Sequence, residues 1–319
     1  MPPMFQLNPQ AQAVLDRARA QGAKPLSSMP PVAARAAYRA GRLPTQPVPP
    51  VEVVCRELAA PGAAGLIPVR EYRPSACAPA EILPALVFFH GGGWVVGDRD
   101  THDVLCRIWC LQVRCAVFSV DYRLAPEHRF PAAFEDACAA TQWLAQQASK
   151  LSIDAGRMAV GGDSAGANLA AAVALALRDG DAPQPRLVAQ MLAYPVTDVC
   201  GGTASYRECA EGYVLSEADM HYFRTHYLAD TAEYVDWRAS PLRAASLADL
   251  PATLILAAGF DPLRDEGRLY ADSLSAAGNA VQYVCFERQM HGFLGMGGVI
   301  EEANTAVRLC GDWLRTYLR

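Results

Sequence analysis

The 319-residue chain is 52% hydrophobic and carries a net charge of −5, with a pI near 5.7. No apolar run reaches the length of a membrane span, and the scattered Lys and Arg form no basic face, so neither membrane nor nucleic acid is expected as a partner. A protein with one large α/β core and added segments is expected instead.

The opening stretch, MPPMFQLNPQAQAVLDRARAQ, lacks a basic segment followed by an apolar core and a small-residue cleavage site, so a cytoplasmic protein is expected. Apolar positions at helical spacing (Ala11, Val14, Leu15, Ala18) predict a helix over 8–22. A second helix is predicted over Pro30 to Ala40, opened by proline. The proline-rich LPTQPVPP, Leu43 to Pro50, breaks regular structure, which marks residues 1–50 as an accessory segment. Val51 to Leu58 and Leu66 to Tyr72 then read as an antiparallel hairpin turning at Pro61 and Gly62.

From residue 84 buried strands alternate with helices, the pattern of a mostly parallel sheet covered on both faces. The strands are Ala85 to Phe89, Ala116 to Val120, Met158 to Gly161, Leu187 to Leu192, Thr253 to Ala257 and Val281 to Phe286. Helices fall at Asp103 to Val113, Ala132 to Ala148, Ala165 to Leu177, Arg264 to Ala277 and Glu302 to Leu318. The long mixed stretch Val199 to Arg243 interrupts this alternation. With residues 1–50 it is read as a helical cap over a core made of 51–198 and 244–319. The last strand, Val281 to Phe286, is a candidate sheet edge through which a homodimer would pair.

Within AVGGDSAGANLA a strand meets a helix at Ser164. A serine at the apex of so sharp a turn needs small residues two positions away on either side, and Gly162 and Gly166 meet that need. The amide of Ala165 then lies at a helix N-terminus, where unpaired donors favour an anion. After the strand ALVFF comes HGGGW, whose glycines free backbone amides to converge on one oxygen; Gly91 and Gly92 are the expected donors. The run lacks the GK[ST] ending of a phosphate loop.

A serine nucleophile requires a histidine base oriented by a carboxylate. His291 follows the last strand, and Asp261 follows TLILAAG. Asp261 is favoured over Glu287 and Asp265 because strand-end loops hold catalytic groups in such sheets. Asp163 should diverge from the serine beside it and serve structure. The string DYRLAPEHRFPA offers acids and bases but cannot converge them on one atom, so it reads as a proline-held brace. Trp94, Tyr194, Tyr213, Leu215, Leu263 and Phe293 are candidate walls of a substrate pocket, with core packing the competing role for each. No CxxC pair occurs among the 10 cysteines and the spacing of Cys106, Cys110 and Cys115 fits no zinc pattern, so buried thiols are expected and no metal. His221 and His226, five apart, do not share a helix face for ligation.

Together HGGGW, DYRLAPEHRFPA, GGDSAGANLA, DPLRDEG and HGF (His291 to Phe293) resemble, in content and order, the bacterial hormone-sensitive-lipase family of carboxylesterases. The resemblance spans residue 51 to the end. It implies an α/β-hydrolase fold, with a mostly parallel eight-stranded sheet flanked by helices and a helical cap. It also implies Ser164, Asp261 and His291 as catalytic triad, and Gly91, Gly92 and Ala165 as oxyanion donors. Ala167 stands where the family often has another glycine. The expected activity is hydrolysis of short- to medium-chain carboxylic esters through an acyl-enzyme, without cofactor. A serine amidase or peptidase on the same triad, and a small-ligand receptor on the same scaffold, are the alternatives.

Overall fold

The computed structural model describes residues 5–180 and 185–319; the first four residues of the N-terminal segment lie outside them. Helix α1 (Pro9–Ala20) starts where the Asn8 side chain accepts the Gln10 amide, and α2 (Pro31–Arg42) starts with proline at its first position. Leu43–Thr45 adds one short 3-10 turn to the connector that was expected to be irregular throughout. Strands β1 (Val53–Gly62) and β2 (Gly65–Pro74) form the hairpin, but its turn is not at Pro61 and Gly62. Those residues pair with Leu66 and Gly65, leaving Ala63 and Ala64 as the turn. A proline is tolerated there because β1 is the outermost strand, where a missing N–H breaks no ladder to a further neighbour.

The remaining elements follow in order: β3 (Leu83–Phe89), α3 (Asp103–Val113), β4 (Ala116–Val120), α4 (Ala132–Gln146), α5 (Ala148–Leu151), β5 (Ile153–Asp163) and α6 (Ala165–Asp179). Then come β6 (Leu187–Ala193), α7 (Ala204–Glu208), α8 (Glu217–Tyr227), β7 (Ala252–Phe260), α9 (Arg264–Ala276), β8 (Val281–Met290) and α10 (Glu301–Leu318). The sheet has eight strands in the order β1-β2-β4-β3-β5-β6-β7-β8, with β3 to β8 parallel and β1 and β2 antiparallel.

Side chains alternate across β3 and divide the core in two. Val87 and Phe89 pack with α4 and α6 on one face, and Leu86 and Phe88 with Trp109 of α3 and Val307 of α10 on the other. Each fully buried Phe contributes about 1.5–3 kcal/mol relative to exposure. Burial on both faces explains why β3 reads as an unbroken apolar run. The ten cysteines are all free thiols, and Cys106, Cys110, Cys115 and Cys310 are core residues. Among the described residues no helix is long and apolar enough to cross a membrane.

Candidate active site

Strand β5 ends at Asp163 and α6 begins at Ala165, so Ser164 is the whole turn. Its backbone is held at φ 56° and ψ −120°, a conformation that costs a non-glycine residue about 1–3 kcal/mol. Neighbours fix it: the Ser164 amide donates to the Ala193 carbonyl at 2.9 Å, and its carbonyl accepts from Asn168 at 3.0 Å. A side chain at Gly166 would overlap the Phe89 carbonyl, and one at Gly162 would meet Gly166 itself. The small-residue requirement is therefore steric on both sides.

His291 lies just past β8 and Asp261 just past β7, so adjacent parallel strands bring them together. The His291 Nε2 is 3.0 Å from the Ser164 Oγ, and its Nδ1 is 2.7 Å from the Asp261 Oδ2. Asp261 is fully buried and its Oδ1 accepts the Leu263 amide at 2.8 Å, which fixes the carboxylate. The rival acids stand elsewhere. Glu287 is exposed on β8, while Asp265 accepts the Ser205 amide at 2.8 Å and pairs with Arg264.

The expected use of Gly91 as an oxyanion donor is corrected by the structure. Its amide is already committed to the Asp163 Oδ1 at 2.8 Å, and a donor so engaged has no hydrogen left for a substrate oxygen. The amides of Gly92, Gly93 and Ala165 have no partner among the described residues. Gly92 is anchored through its carbonyl, which accepts from Val95 and Val96 at 3.1 and 2.9 Å. Gly93, at φ 58°, faces the Phe223 ring of α8 so closely that any side chain would overlap it. Gly92 and Gly93, unlike Gly91, thus keep amides free to meet an oxyanion. The sequence signal for this was the acidic residue beside Ser164, since a buried carboxylate demands an amide partner.

The loop rests on the DYRLAPEHRFPA stretch. The Tyr122 hydroxyl donates to the His90 carbonyl at 2.6 Å, and the two rings stack at 4.4 Å between centroids. Ala125 donates to the Trp94 carbonyl at 2.9 Å, while Arg123 is clamped to Asp136. His90 also places its Nδ1 2.9 Å from the Gly91 carbonyl. None of the acids in this stretch reaches Ser164.

Asp163 is buried beneath the loop. Besides Gly91 it meets the His102 Nε2 at 3.1 Å and the Arg42 Nη2 at 3.7 Å. Burial by itself would raise its carboxyl pKa, but His102, Arg42 and the Gly91 amide together hold it well below the usual range. His102 is pushed down chiefly by burial, opposed by Asp163. A neutral His102 ring satisfies the carboxylate when Nε2 carries its proton.

Above Ser164 opens a cavity of about 1000 Å³. Trp94, Tyr213 and Leu215 line it, joined by Val196, Phe223 and Met296. Three other expected wall residues do not. Tyr194 packs its ring on His291 at 4.6 Å and Phe293 lies tilted behind it at 6.3 Å, while Leu263 is buried where its amide serves Asp261. They support the triad from the protein side because β6 and the loops after β7 and β8 bury their side chains away from the opening. The roof comes from both accessory stretches: Leu15, Tyr38 and Arg42 from the N-terminal segment, and residues 210–221, Phe223 and Arg224 from the insertion. Two bonds tie them, Arg19 to the Gly212 carbonyl at 3.1 Å and the Ser27 amide to the Asp219 carboxylate at 3.0 Å.

Comparison with known proteins agrees with this architecture. A family model of the alpha/beta hydrolase fold matches residues 86–295. The carboxylic ester hydrolase LipN of Mycobacterium tuberculosis is 45% identical over 294 residues, covering 91% of this chain and 77% of LipN. Ethyl acetate hydrolase of Pseudomonas putida is 40% identical over 253 residues, 79% of each chain. Among solved structures, an ester hydrolase from the metagenome of Lake Arreo, complexed with a bipyridine phosphonate derivative, superposes with a TM-score of 0.92 at 39% identity, covering 98% of this chain and 99% of that one.

Proposed function

The chain belongs to the hormone-sensitive-lipase branch of the α/β-hydrolase family, and on that premise we propose how its residues divide the work of ester hydrolysis. Its activity is that of a carboxylic ester hydrolase. Ser164 is the nucleophile, and His291 takes its proton as the Oγ attacks the ester carbonyl. Asp261 orients the imidazole and stabilises the cation that forms. The amides of Gly92, Gly93 and Ala165 receive the tetrahedral oxyanion; each such donor is worth about 3 kcal/mol in a dry site. His291 then protonates the leaving alcohol, and water repeats the sequence to release the acid. The observation that carries this reading is the continuous hydrogen-bonded line from Asp261 through His291 to Ser164 at the floor of the cavity.

Residues 1–50 and 199–243 act as the cap, as their shared roof and mutual bonds support. Short to medium acyl chains are the preferred substrates: the roofed cavity limits length, and the similar P. putida protein is named for ethyl acetate. Free thiols in the core suit a reducing, cytoplasmic setting. A homodimer would pair through β8, which forms one edge of the sheet. Light scattering after size exclusion should then give twice the chain mass, and a monomer at micromolar protein would remove the dimer.

Hydrolysis of p-nitrophenyl esters from acetate to palmitate tests the activity, with an anilide control. Turnover should peak among the shorter esters and fall by at least about 10³-fold in Ser164→Ala. Undiminished ester turnover in that variant would overturn the assignment of Ser164, and faster anilide than ester cleavage would favour an amidase.

A further inference from the structure

We propose that Arg42, the last residue of α2, is a positioning residue that links the seating of the N-terminal segment to the oxyanion loop through Asp163. The proposal rests on the Ser164 reading above and assigns to the roof a part in the chemistry.

Arg42 is only 7% exposed, although it lines the cavity. Its guanidinium touches three parts of the site. Nε donates to the Thr101 carbonyl at 3.2 Å, in the stretch that follows the oxyanion loop, and Nη1 points at the Gly292 carbonyl at 3.5 Å, next to His291. Nη2 makes no hydrogen bond among the described residues and stands 3.7 Å from the Asp163 Oδ2. The guanidinium also lies over the Tyr38 ring at 5.8 Å, which keeps the side chain on the α2 side of the cleft. A buried cation in such a place is retained only with a nearby anion and hydrogen-bond acceptors.

Asp163 needs that cation for its own part. It is 2% exposed, and besides Arg42 it meets the uncharged Gly91 amide and His102, whose charged form burial disfavours. Arg42, whose guanidinium stays charged, is therefore its permanent counter-charge at 3.7 Å. An ionised carboxylate accepts a shorter, stronger hydrogen bond than a neutral acid, and a protonated Asp163 would offer the Gly91 amide a weaker acceptor. The Gly91 amide bond pins the loop before Gly92 and the Gly92 carbonyl bonds to Val95 and Val96 pin it after, and between these two anchors the Gly92 and Gly93 amides have to converge on one oxygen. The fit leaves little slack, because even a Cβ on Gly91 would lie 2.7 Å from the Asp163 Oδ2. The order of control runs from α2 to Arg42, to the Asp163 charge, to the Gly91 amide and so to the oxyanion donors.

A double-mutant cycle with full-length Arg42→Met, Asp163→Asn and the pair tests this, reading kcat and KM for p-nitrophenyl acetate and the inhibition constant of a trifluoromethyl ketone. The ketone accepts Ser164 as a hemiketal whose oxyanion fills the same three amides. Arg42→Met should lower kcat about tenfold or more and weaken the ketone by a similar factor, while KM stays within about threefold. Arg42→Lys should restore part of both. In the Asp163→Asn background, where no charge remains to balance, Arg42→Met should change kcat by less than about twofold. A rise in KM alone, or the same fold-loss in both backgrounds, would show Arg42 to be only a wall of the cavity. A lowered melting temperature with kcat per folded molecule unchanged would show it to be only a structural tie. If Arg42→Met fails to fold, Arg42→Gln replaces it in the same cycle. Failure of the Ser164 reading is separate, because it appears as hydrolysis surviving in Ser164→Ala.

Discussion

Glu266 shows how one buried carboxyl bends the stability of the whole chain against pH. It is fully buried at the start of α9, where its Oε1 accepts the amides of Thr197 and Asp198 at 2.8 and 3.3 Å. Burial outweighs those two bonds and pushes its pKa up to about 8. The sign follows from proton counting. Between its ordinary pKa near 4.5 and about 8 the folded chain holds a proton that the unfolded chain has lost, so stability falls as pH rises across that window. Glu266→Gln keeps an acceptor for both amides and removes the titration. Urea unfolding should therefore show the variant gaining on the wild type from about pH 5 to about pH 8, with a constant difference above that. A gap that does not change with pH would remove Glu266 as the cause. At this same scale the grouping of Ser164, Asp261 and His291 was legible because each directly follows a strand end. Gly91 misled because a glycine string does not say which way each amide points. Asp163 claims one of them, and only the fold brings that side chain beneath the loop. Arg42 was beyond reach for the same reason, since nothing in α2 announces that its last residue meets a carboxylate far along the chain.

Helix α8 meets the glycine loop twice, with the Phe223 ring against Gly93 and the Tyr227 ring stacked on Trp94 at 4.3 Å. The capping box of Ser216 and Asp219 fixes where α8 begins and hence where both rings fall. Gly93→Ala puts a methyl group into the Phe223 ring and must displace either the helix or the donor amide. The kcat for p-nitrophenyl acetate should fall at least about tenfold, the loss expected when an oxyanion donor is misplaced. Adding Phe223→Ala should recover part of it, by making room on the helix side. No recovery would mean that the methyl group disturbs the loop itself rather than its contact with α8. Elements with strong signals were readable from the sequence: α3, β4, α6 and α9 fall within a few residues of their expected bounds. The hairpin was less so. Its Pro-Gly pair looked like the turn, yet the edge position of β1 lets a proline stay in strand, and the reversal passes to Ala63 and Ala64, which carry no turn signal.

Across the molecule the alternation of strands and helices gave the sheet its class, whereas strand order is decided by crossovers that leave no local mark. The placement of β4 between β2 and β3 belongs to that second kind. So does the roof, assembled from two stretches that never adjoin in sequence and are joined by Arg19 to Gly212 and Ser27 to Asp219. The triad is dispersed in the same way: Ser164 and His291 lie 127 positions apart, and Asp261 precedes His291 by 30. During synthesis the nucleophile's turn leaves the ribosome long before its base exists, so a nascent or prematurely terminated chain cannot cleave the esters around it. Turnover begins only when translation has passed His291 and the late strands have docked, so ester cleavage reports that synthesis and folding have reached that point.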